Sequence, residues 1–160
     1  MVVLAASTAL LGGCLPSTSS PTASAGSADE GHPFESELAY CVSEINRLRA
    51  TIGKPALSRS SELEAYAAVA AREDAKARAA HAHARATNFG DGTSRAENEM
   101  LLWSLSYFHT LRALIERGLA DMWKQGPGGV HYDNMTGNYR EAGCGIYVKG
   151  DEVTVLQAFR

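Results

Sequence analysis

The first 28 residues of this 160-residue chain contain no Asp, Glu, Lys or Arg, so every charged residue lies beyond Ala28. The formal net charge is −3, and Lys and Arg form no strong cluster anywhere in the chain. A nucleic-acid-binding protein needs a basic surface to neutralise phosphates. The chain also lacks an apolar run of the roughly 18–20 residues that cross a bilayer as a helix. These absences exclude nucleic acid as a partner and exclude multi-span transport.

The uncharged head begins with an apolar run from Val2 to Leu11, which has the length of the hydrophobic part of a signal peptide. No Lys or Arg precedes this run, so either the export signal is weak or the protein begins upstream of Met1, and we favour the second. The run ends in Leu11-Gly12-Gly13-Cys14, which resembles the bacterial lipobox. We therefore interpret residues 1–14 as a signal peptide with a lipobox and Cys14 as the lipidated residue. A cleaved signal with an incidental Cys is the alternative.

Residues 15–32 are rich in Ser, Thr, Pro and Ala and contain almost nothing that could pack into a core. Such a composition is typical of a flexible tether. With acyl chains on Cys14 this tether predicts an extracytoplasmic protein anchored by lipid to the membrane of a bacterial cell envelope. A secreted protein is the alternative.

Residues 33–160 are predicted to form one domain of the α+β class, with helices packed on an antiparallel sheet. Apolar periodicity predicts helices over roughly 35–51, 61–84 and 107–123, the second of them starting with a capping box of Ser61 and Glu64. The composition predicts loops at 88–92 and 126–129. Residues 96–104 are either a strand or an irregular segment, whereas 144–148 and 152–159 predict a hairpin that turns at 150–151.

Four short motifs in this domain occur in a fixed order: Asn46-Arg47-Leu48-Arg49-Ala50, Ala96-Glu97-Asn98-Glu99, Gly129-Val130-His131-Tyr132-Asp133 and Gly143-Cys144-Gly145. Together they resemble the CAP superfamily, which is named for cysteine-rich secretory proteins, antigen 5 and pathogenesis-related proteins. The resemblance covers about residues 35–160. It implies a three-layer α-β-α sandwich with a small central antiparallel sheet.

The resemblance also implies a central cleft that carries two His and two acidic residues, in which the His pair can bind a divalent metal. His131 corresponds to the second His and Glu97 to the first acid. The first His is either His81 or His83, which would point to nearly opposite sides of a helix. We favour His83, which is nearer the loop that leads to Glu97. Two imidazoles and a carboxylate with an open position for water would suit Zn²⁺.

The chain departs from the family pattern at the second acid, because Trp123 is followed by Lys124, Gln125 and Gly126. Gln125 can form hydrogen bonds in the cleft but cannot act as an acid or a base. Glu99 and Glu116 are the candidates to replace that acid. The departure favours a non-enzymatic domain that binds a small apolar ligand, a peptide or an envelope component. A metal-dependent hydrolase or peptidase that uses His83, His131 and Glu97 is the alternative.

The cysteines are consistent with export. If Cys14 carries lipid, Cys41 and Cys144 remain as an even pair in an oxidising compartment. A disulfide between them would close a loop of about 100 residues and would stabilise the fold by ~4 kcal/mol in the chain-entropy model. Two separate buried thiols are the alternative.

Overall fold

The computed structural model describes residues 33–160. The predictions for the signal peptide at 1–14, for lipidation of Cys14 and for the tether at 15–32 lie outside the described residues. The helices are α1 (Glu35–Ala50), α2 (Ser61–Ala77), α3 (Ala82–Gly92), α4 (Leu105–Phe108), α5 (Leu111–Trp123) and α6 (Val130–Thr136). The strands are β1 (Ser58–Arg59), β2 (Ala96–Ser104), β3 (Glu141–Lys149) and β4 (Glu152–Phe159). None of the helices in this range is long and apolar enough to cross a membrane.

The four strands form one sheet in the order β1-β3-β4-β2. The predicted hairpin is confirmed, because β3 and β4 pair antiparallel from Ala142 opposite Phe159 to Lys149 opposite Glu152. Residues 96–104, for which the sequence allows a strand or an irregular segment, form the strand β2, which pairs antiparallel with β4. The expectation of a purely antiparallel sheet needs one correction, because the two-residue β1 runs parallel to the start of β3.

Helices cover both faces of the sheet, which confirms the α+β class and the three-layer sandwich. One face buries large apolar side chains of α1 and α5 against β3 and β4; among them are Leu38, Ile45, Leu114, Ile115, Leu119, Ile146, Val153 and Val155. The other face packs α2 against β4 through mostly small side chains, namely Leu63, Tyr66, Ala67, Ala70, Ala71, Leu156 and Ala158.

The motif Gly143-Cys144-Gly145 makes contacts on both faces of the sheet, because successive strand residues point to opposite sides. A Cβ on Gly145 would lie 2.1 Å from the carbonyl carbon of Ala67, and a Cβ on Gly143 would lie 2.5 Å from the backbone nitrogen of Glu64. The two glycines therefore let α2 approach the sheet closely. Cys144 points to the opposite side, where it forms a disulfide with Cys41 of α1. The predicted disulfide is confirmed.

The helix predicted over 61–84 begins at Ser61 as expected, but its capping residue and its end differ from the prediction. The residue that caps it is Ser60, whose hydroxyl accepts the backbone N–H of Leu63 at 3.4 Å, whereas the side chain of Glu64 pairs with Arg59. The helix ends at Ala77 because Arg78 adopts a left-handed conformation with φ of 51°. The sequence around this break is rich in alanine, whose small side chain can be placed in a helix or in a loop. Apolar periodicity therefore does not indicate where the helix ends.

The helix predicted over 107–123 is also divided. It consists of α4 and of α5, whose start is capped by Thr110 accepting the backbone N–H of Ala113. The helix α6 was not predicted at all, because a seven-residue element shows too little periodicity to be recognised. This short helix matters for the site, since it carries His131.

Candidate functional site

Glu97 of β2 is the centre of a buried polar cluster, with only 2% of its side chain exposed. Its Oε1 lies 2.7 Å from Nδ1 of His81, and its Oε2 accepts the hydroxyl of Tyr66 at 2.9 Å. A buried carboxylate is tolerated when it is paired and hydrogen-bonded. Both oxygens of Glu97 are therefore engaged by side chains of the protein itself.

His81, and not His83, faces Glu97, so the favoured assignment of the first His is wrong in its geometry. The expected continuous helix is interrupted between α2 and α3, and His81 stands in this gap with φ of 59°. Its backbone N–H donates to Oε2 of Glu99 at 3.1 Å. His83 lies in the first turn of α3, where its backbone N–H donates to Asp74 at 2.6 Å and its ring centroid is 5.7 Å from that of Tyr66.

His131 is the second residue of α6 and is bound by Gln125, the residue that lies near the position of the missing acid. The amide oxygen of Gln125 accepts the backbone N–H of His131 at 3.2 Å, which orients the amide. Its Nε2 then lies 2.6 Å from Nδ1 of His131. Because an amide nitrogen can only donate, Nδ1 accepts, and the proton of the neutral imidazole lies on Nε2. Gln125 therefore selects one tautomer of His131.

The environments of the two histidines shift their pKa values in opposite directions. The hydrogen bond with Glu97 raises the pKa of His81. Burial, and after it the positive charge of His81, lowers the pKa of His131. Protonation is therefore easier for His81 than for a free imidazole and harder for His131, so the two histidines of the site differ in basicity.

Two asparagines connect the strand that carries Glu97 to the helix that carries His131. Asn98 donates from its amide to the backbone carbonyl of His131 at 3.0 Å. Asn134 donates to the backbone carbonyl of Glu97 at 3.1 Å and to Oδ1 of Asn98 at 2.9 Å. In the Glu97-Asn98 motif, Glu97 therefore lies in the cleft, and Asn98 connects its strand to the helix that carries His131.

Asp74 and Glu99 form a pair of acidic residues behind His81. Burial raises the pKa of Asp74, and burial together with the charge of Asp74 raises the pKa of Glu99 to about 7. Oδ2 of Asp74 and Oε1 of Glu99 are buried without a hydrogen-bond partner in the described part of the chain. Glu99 lies behind the cleft histidine, because its Oε2 accepts the backbone N–H of His81. Glu116, the other candidate, is exposed on α5, where burial of Tyr40 and, after it, the charge of Glu116 raise the pKa of Tyr40.

Sequence reasoning missed Tyr66, Asp74 and Asn134. A signal for the first two exists, because Tyr66 and Asp74 stand eight residues apart on either side of Ala70, and this spacing places all three on the buried face of α2. A Tyr and an Asp on a face of small apolar residues are informative, because buried polar groups require partners. No comparable signal identifies Asn134, whose role depends on α6.

The cleft contains a cavity of about 320 Å³, which is lined by both polar and apolar residues. Val130 on its rim is 71% exposed. Phe89 stands in a turn, residues 88–91, in which all four residues have positive φ. The turn is held against Tyr66, since a Cβ on Gly90 would lie 2.8 Å from the tyrosine ring. The cavity is lined by His81, Phe89, Arg95, Ala96, Glu97, Val130 and Asn134.

The side chains of the cleft do not assemble the three ligands that a catalytic zinc ion usually takes from a protein. His81 retains Nε2, but Nε2 of His131 carries the proton of the tautomer that Gln125 selects, and both oxygens of Glu97 are already hydrogen-bonded. No three His, Cys, Asp or Glu residues among 33–160 are placed to hold a metal ion. In this arrangement the cleft therefore does not offer two unprotonated imidazole nitrogens to a metal ion.

The fold resembles solved structures of two bacterial proteins. One is a cysteine-rich secretory protein from Staphylococcus aureus, with a TM-score of 0.50 and 18% identity over 82% of this chain and 40% of that one. The other is an outer surface protein from Borrelia burgdorferi, with a TM-score of 0.56 and 17% identity over 81% of this chain and 96% of that one. The chain thus spans less than half of the Staphylococcus protein, and no curated protein matches it.

The model of the family described as CAP, the cysteine-rich secretory protein family, matches residues 42–159, which include Glu97, His131 and Cys144. This match extends over well more than half of the chain and agrees with the observed sandwich. The chain belongs to the CAP family of cysteine-rich secretory proteins.

Proposed function

We propose that this protein is an exported, lipid-anchored, non-enzymatic binding domain that holds a small ligand with an apolar body in its cleft. One observation carries the proposal. Gln125 stands near the position of the second acid and is bound to His131, while both oxygens of Glu97 are hydrogen-bonded. The amide of Gln125 cannot accept a proton from a substrate, as general base catalysis requires, and the carboxylate of Glu97 is already bound by His81 and Tyr66.

The walls of the cavity support binding of an amphipathic ligand. Phe89, Ala96 and Val130 provide apolar contacts in the cavity, and His81 and Asn134 provide polar groups. A volume of about 320 Å³ lies within the range of small-molecule sites, roughly 300–1,000 Å³. A small apolar molecule with one hydrogen-bonding group, or the side chain of a peptide or envelope component, suits this cavity.

Binding can be tested with the neutral apolar fluorophore Nile red and the full chain. We expect saturable fluorescence enhancement that Val130→Asp weakens by about tenfold or more, because a carboxylate against an apolar ligand must be desolvated. Ile52→Asp is the matched control, since Ile52 is also an exposed apolar residue (45%) but does not line the cavity. Absent binding, or equal loss in both variants, would contradict the proposal.

The anchor can be tested in the native bacterial host by mass spectrometry of the membrane fraction. We expect the mature protein to begin at an acylated Cys14 and to be released from the membrane in Cys14→Ser. Several acyl chains are needed for stable attachment. An unmodified Cys14 in a protein released to the medium would support the secreted alternative.

A metal-dependent hydrolase is the second candidate, because carboxylates that hold Nδ1 of a histidine commonly orient metal ligands, as Glu97 holds His81. We expect the full chain to retain little zinc after equilibration and dialysis. Stoichiometric zinc that is lost in both His81→Ala and His131→Ala, together with turnover of a peptide substrate, would replace the binding proposal.

A further inference from the structure

A second cavity of about 730 Å³ opens beside the cleft, where the ends of the sheet strands meet. Three of the six residues that line it are arginines, Arg95, Arg140 and Arg160, and the only acid among these lining residues is Glu141. The remaining two, Ser58 and Asn138, are polar. The cavity therefore has a cationic wall with additional hydrogen-bonding groups and no apolar side chain among these six.

The three arginines differ in whether their positive charge is neutralised by an ion pair with a carboxylate. Arg160 is paired with Glu141 at 2.7 Å and with Glu62 at 2.9 Å. Arg95 and Arg140 are exposed, and neither side chain forms an ion pair or hydrogen bond with another described residue. Two guanidinium groups of this cavity are therefore free to bind a ligand, while the third is already neutralised.

The backbone around these side chains is fixed by the sheet. The backbone N–H of Arg95 donates to the carbonyl of Phe159 at 2.8 Å, and that of Arg140 donates to the carbonyl of Arg160 at 2.8 Å. The backbone N–H of Ser58 donates in turn to the carbonyl of Arg140 at 2.9 Å. The positions from which the two free arginines project are thus set before any ligand arrives, which lowers the entropic cost of binding.

We propose that this arginine cavity binds a small dianion, carried either by one phosphate monoester or by a dicarboxylate. Two free guanidinium groups match two negative charges, and the planar guanidinium binds both phosphate and carboxylate through paired hydrogen bonds. The chain carries a net charge of −3, so its overall field repels anions and affinity must come from this local arrangement. The volume exceeds that of the charged group alone, which leaves room for an organic remainder.

Arg95 lines the cleft cavity as well as the arginine cavity. A ligand whose anionic end contacts Arg95 and Arg140 therefore lies directly beside the cleft. The dianion site stands on its own residues and does not depend on what the cleft binds, since only Arg95 is shared.

The proposal can be tested by titrating the ¹⁵N-labelled full chain with phenyl phosphate in one experiment and with succinate in another. We expect saturable shifts of the Arg95 and Arg140 side-chain Nε–H signals with at least one of these dianions. Added salt should weaken the binding, because charges at the surface are screened. Binding of phenyl phosphate alone assigns the phosphate class, and binding of succinate alone assigns the dicarboxylate class.

Three variants complete the test. Arg95→Gln and Arg140→Gln should each weaken binding by about fivefold or more, the loss expected for a charge-assisted contact near the surface. Arg85→Gln is the matched control, because Arg85 is also exposed but does not line the cavity. An absence of saturable binding of either dianion, or equal weakening in Arg85→Gln, would overturn the proposal. Neither outcome affects the proposal that the cleft binds an apolar ligand, because the Nile red titration tests that binding separately.

Discussion

The two faces of the sheet are built on different principles. The α1 and α5 face buries large branched side chains and is crossed by the Cys41–Cys144 disulfide. The α2 face is packed through alanines and two strand glycines, and it contributes Tyr66 and Asp74 to the polar cluster behind Glu97. One face therefore supplies apolar stabilisation, and the other supplies close approach and buried polar groups that position the cleft.

This difference shows how a small domain can hold buried charges. Burial of carboxylates such as Asp74 and Glu99 lowers stability unless other parts of the fold compensate. Here the compensation lies on the opposite face, where apolar burial and a covalent link are concentrated. Four predictions separate the contributions of the two faces, in decreasing order of the expected effect.

The largest effect is expected on the α1 face, from removal of the disulfide in the double variant Cys41→Ala, Cys144→Ala. The bridge joins residues separated by 103 positions, and a loop of this length is expected to contribute about 4 kcal/mol in the chain-entropy model. Urea denaturation of the variant should show this loss in the free energy of unfolding. Reduction of the unmodified protein should cause a similar loss, and no change on reduction would contradict the assignment.

The next effect is expected on the α2 face, from Gly145→Ala. The added methyl group would meet the backbone of Ala67 at 2.1 Å, which a side-chain rotation cannot relieve. Overpacking typically lowers the free energy of unfolding by about 1–3 kcal/mol, and a clash with backbone belongs at the upper end of this range. Gly150→Asn is the control, because no atom lies within 4 Å of a Cβ there and Asn tolerates its positive φ. Equal melting temperatures for both variants would show that α2 does not pack as described.

Protonation of Glu99 should make stability depend on pH. Its pKa is raised to about 7 in the folded protein, so its contribution to stability is complete below its ordinary pKa and is lost as pH rises through about 7. The raised pKa values of Asp74 and His81 act in the same direction, whereas the lowered pKa of His131 acts in the opposite direction.

We therefore expect the free energy of unfolding to decrease by about 2 kcal/mol between pH 5 and pH 8 through Glu99. Glu99→Gln should remove this part of the slope and should be more stable than the unmodified protein at pH 8. Chemical denaturation at several pH values provides the measurement. An unchanged slope in Glu99→Gln would exclude Glu99 as its source.

The smallest effect is expected from Tyr66→Phe, which removes the hydrogen bond to Oε2 of Glu97. Loss of a hydrogen bond to a charged group at a buried site should lower the free energy of unfolding by about 1.5 kcal/mol. Tyr107→Phe is the control, because Tyr107 is 74% exposed and forms no hydrogen bond through its hydroxyl with another described residue. Equal stability of the two variants would mean that the buried cluster does not depend on Tyr66.

The parts of the structure that could be predicted are those encoded in local pattern. Alternation and turn residues identified the hairpin of β3 and β4, and periodicity identified α1 almost to the residue. The family motifs identified Glu97, His131 and the fold, and cysteine arithmetic identified the pair Cys41 and Cys144. The choice of His83 over His81 failed because it assumed an unbroken helix, and a helix end in an alanine-rich segment leaves no periodic signal.

The sequence by itself determined the first helix and the hairpin, the even pair of cysteines and the amide near the position of the second acid, because these depend on residue type and on spacing along the chain. Only the tertiary structure decided which histidine meets Glu97, how Gln125 holds His131, and that Asp74 and Glu99 share a buried site. It also brought together Arg95, Arg140 and Arg160 in one cavity. These juxtapositions join residues that are distant in sequence, and they follow from the packing of helices on both faces of one sheet, which no local pattern records.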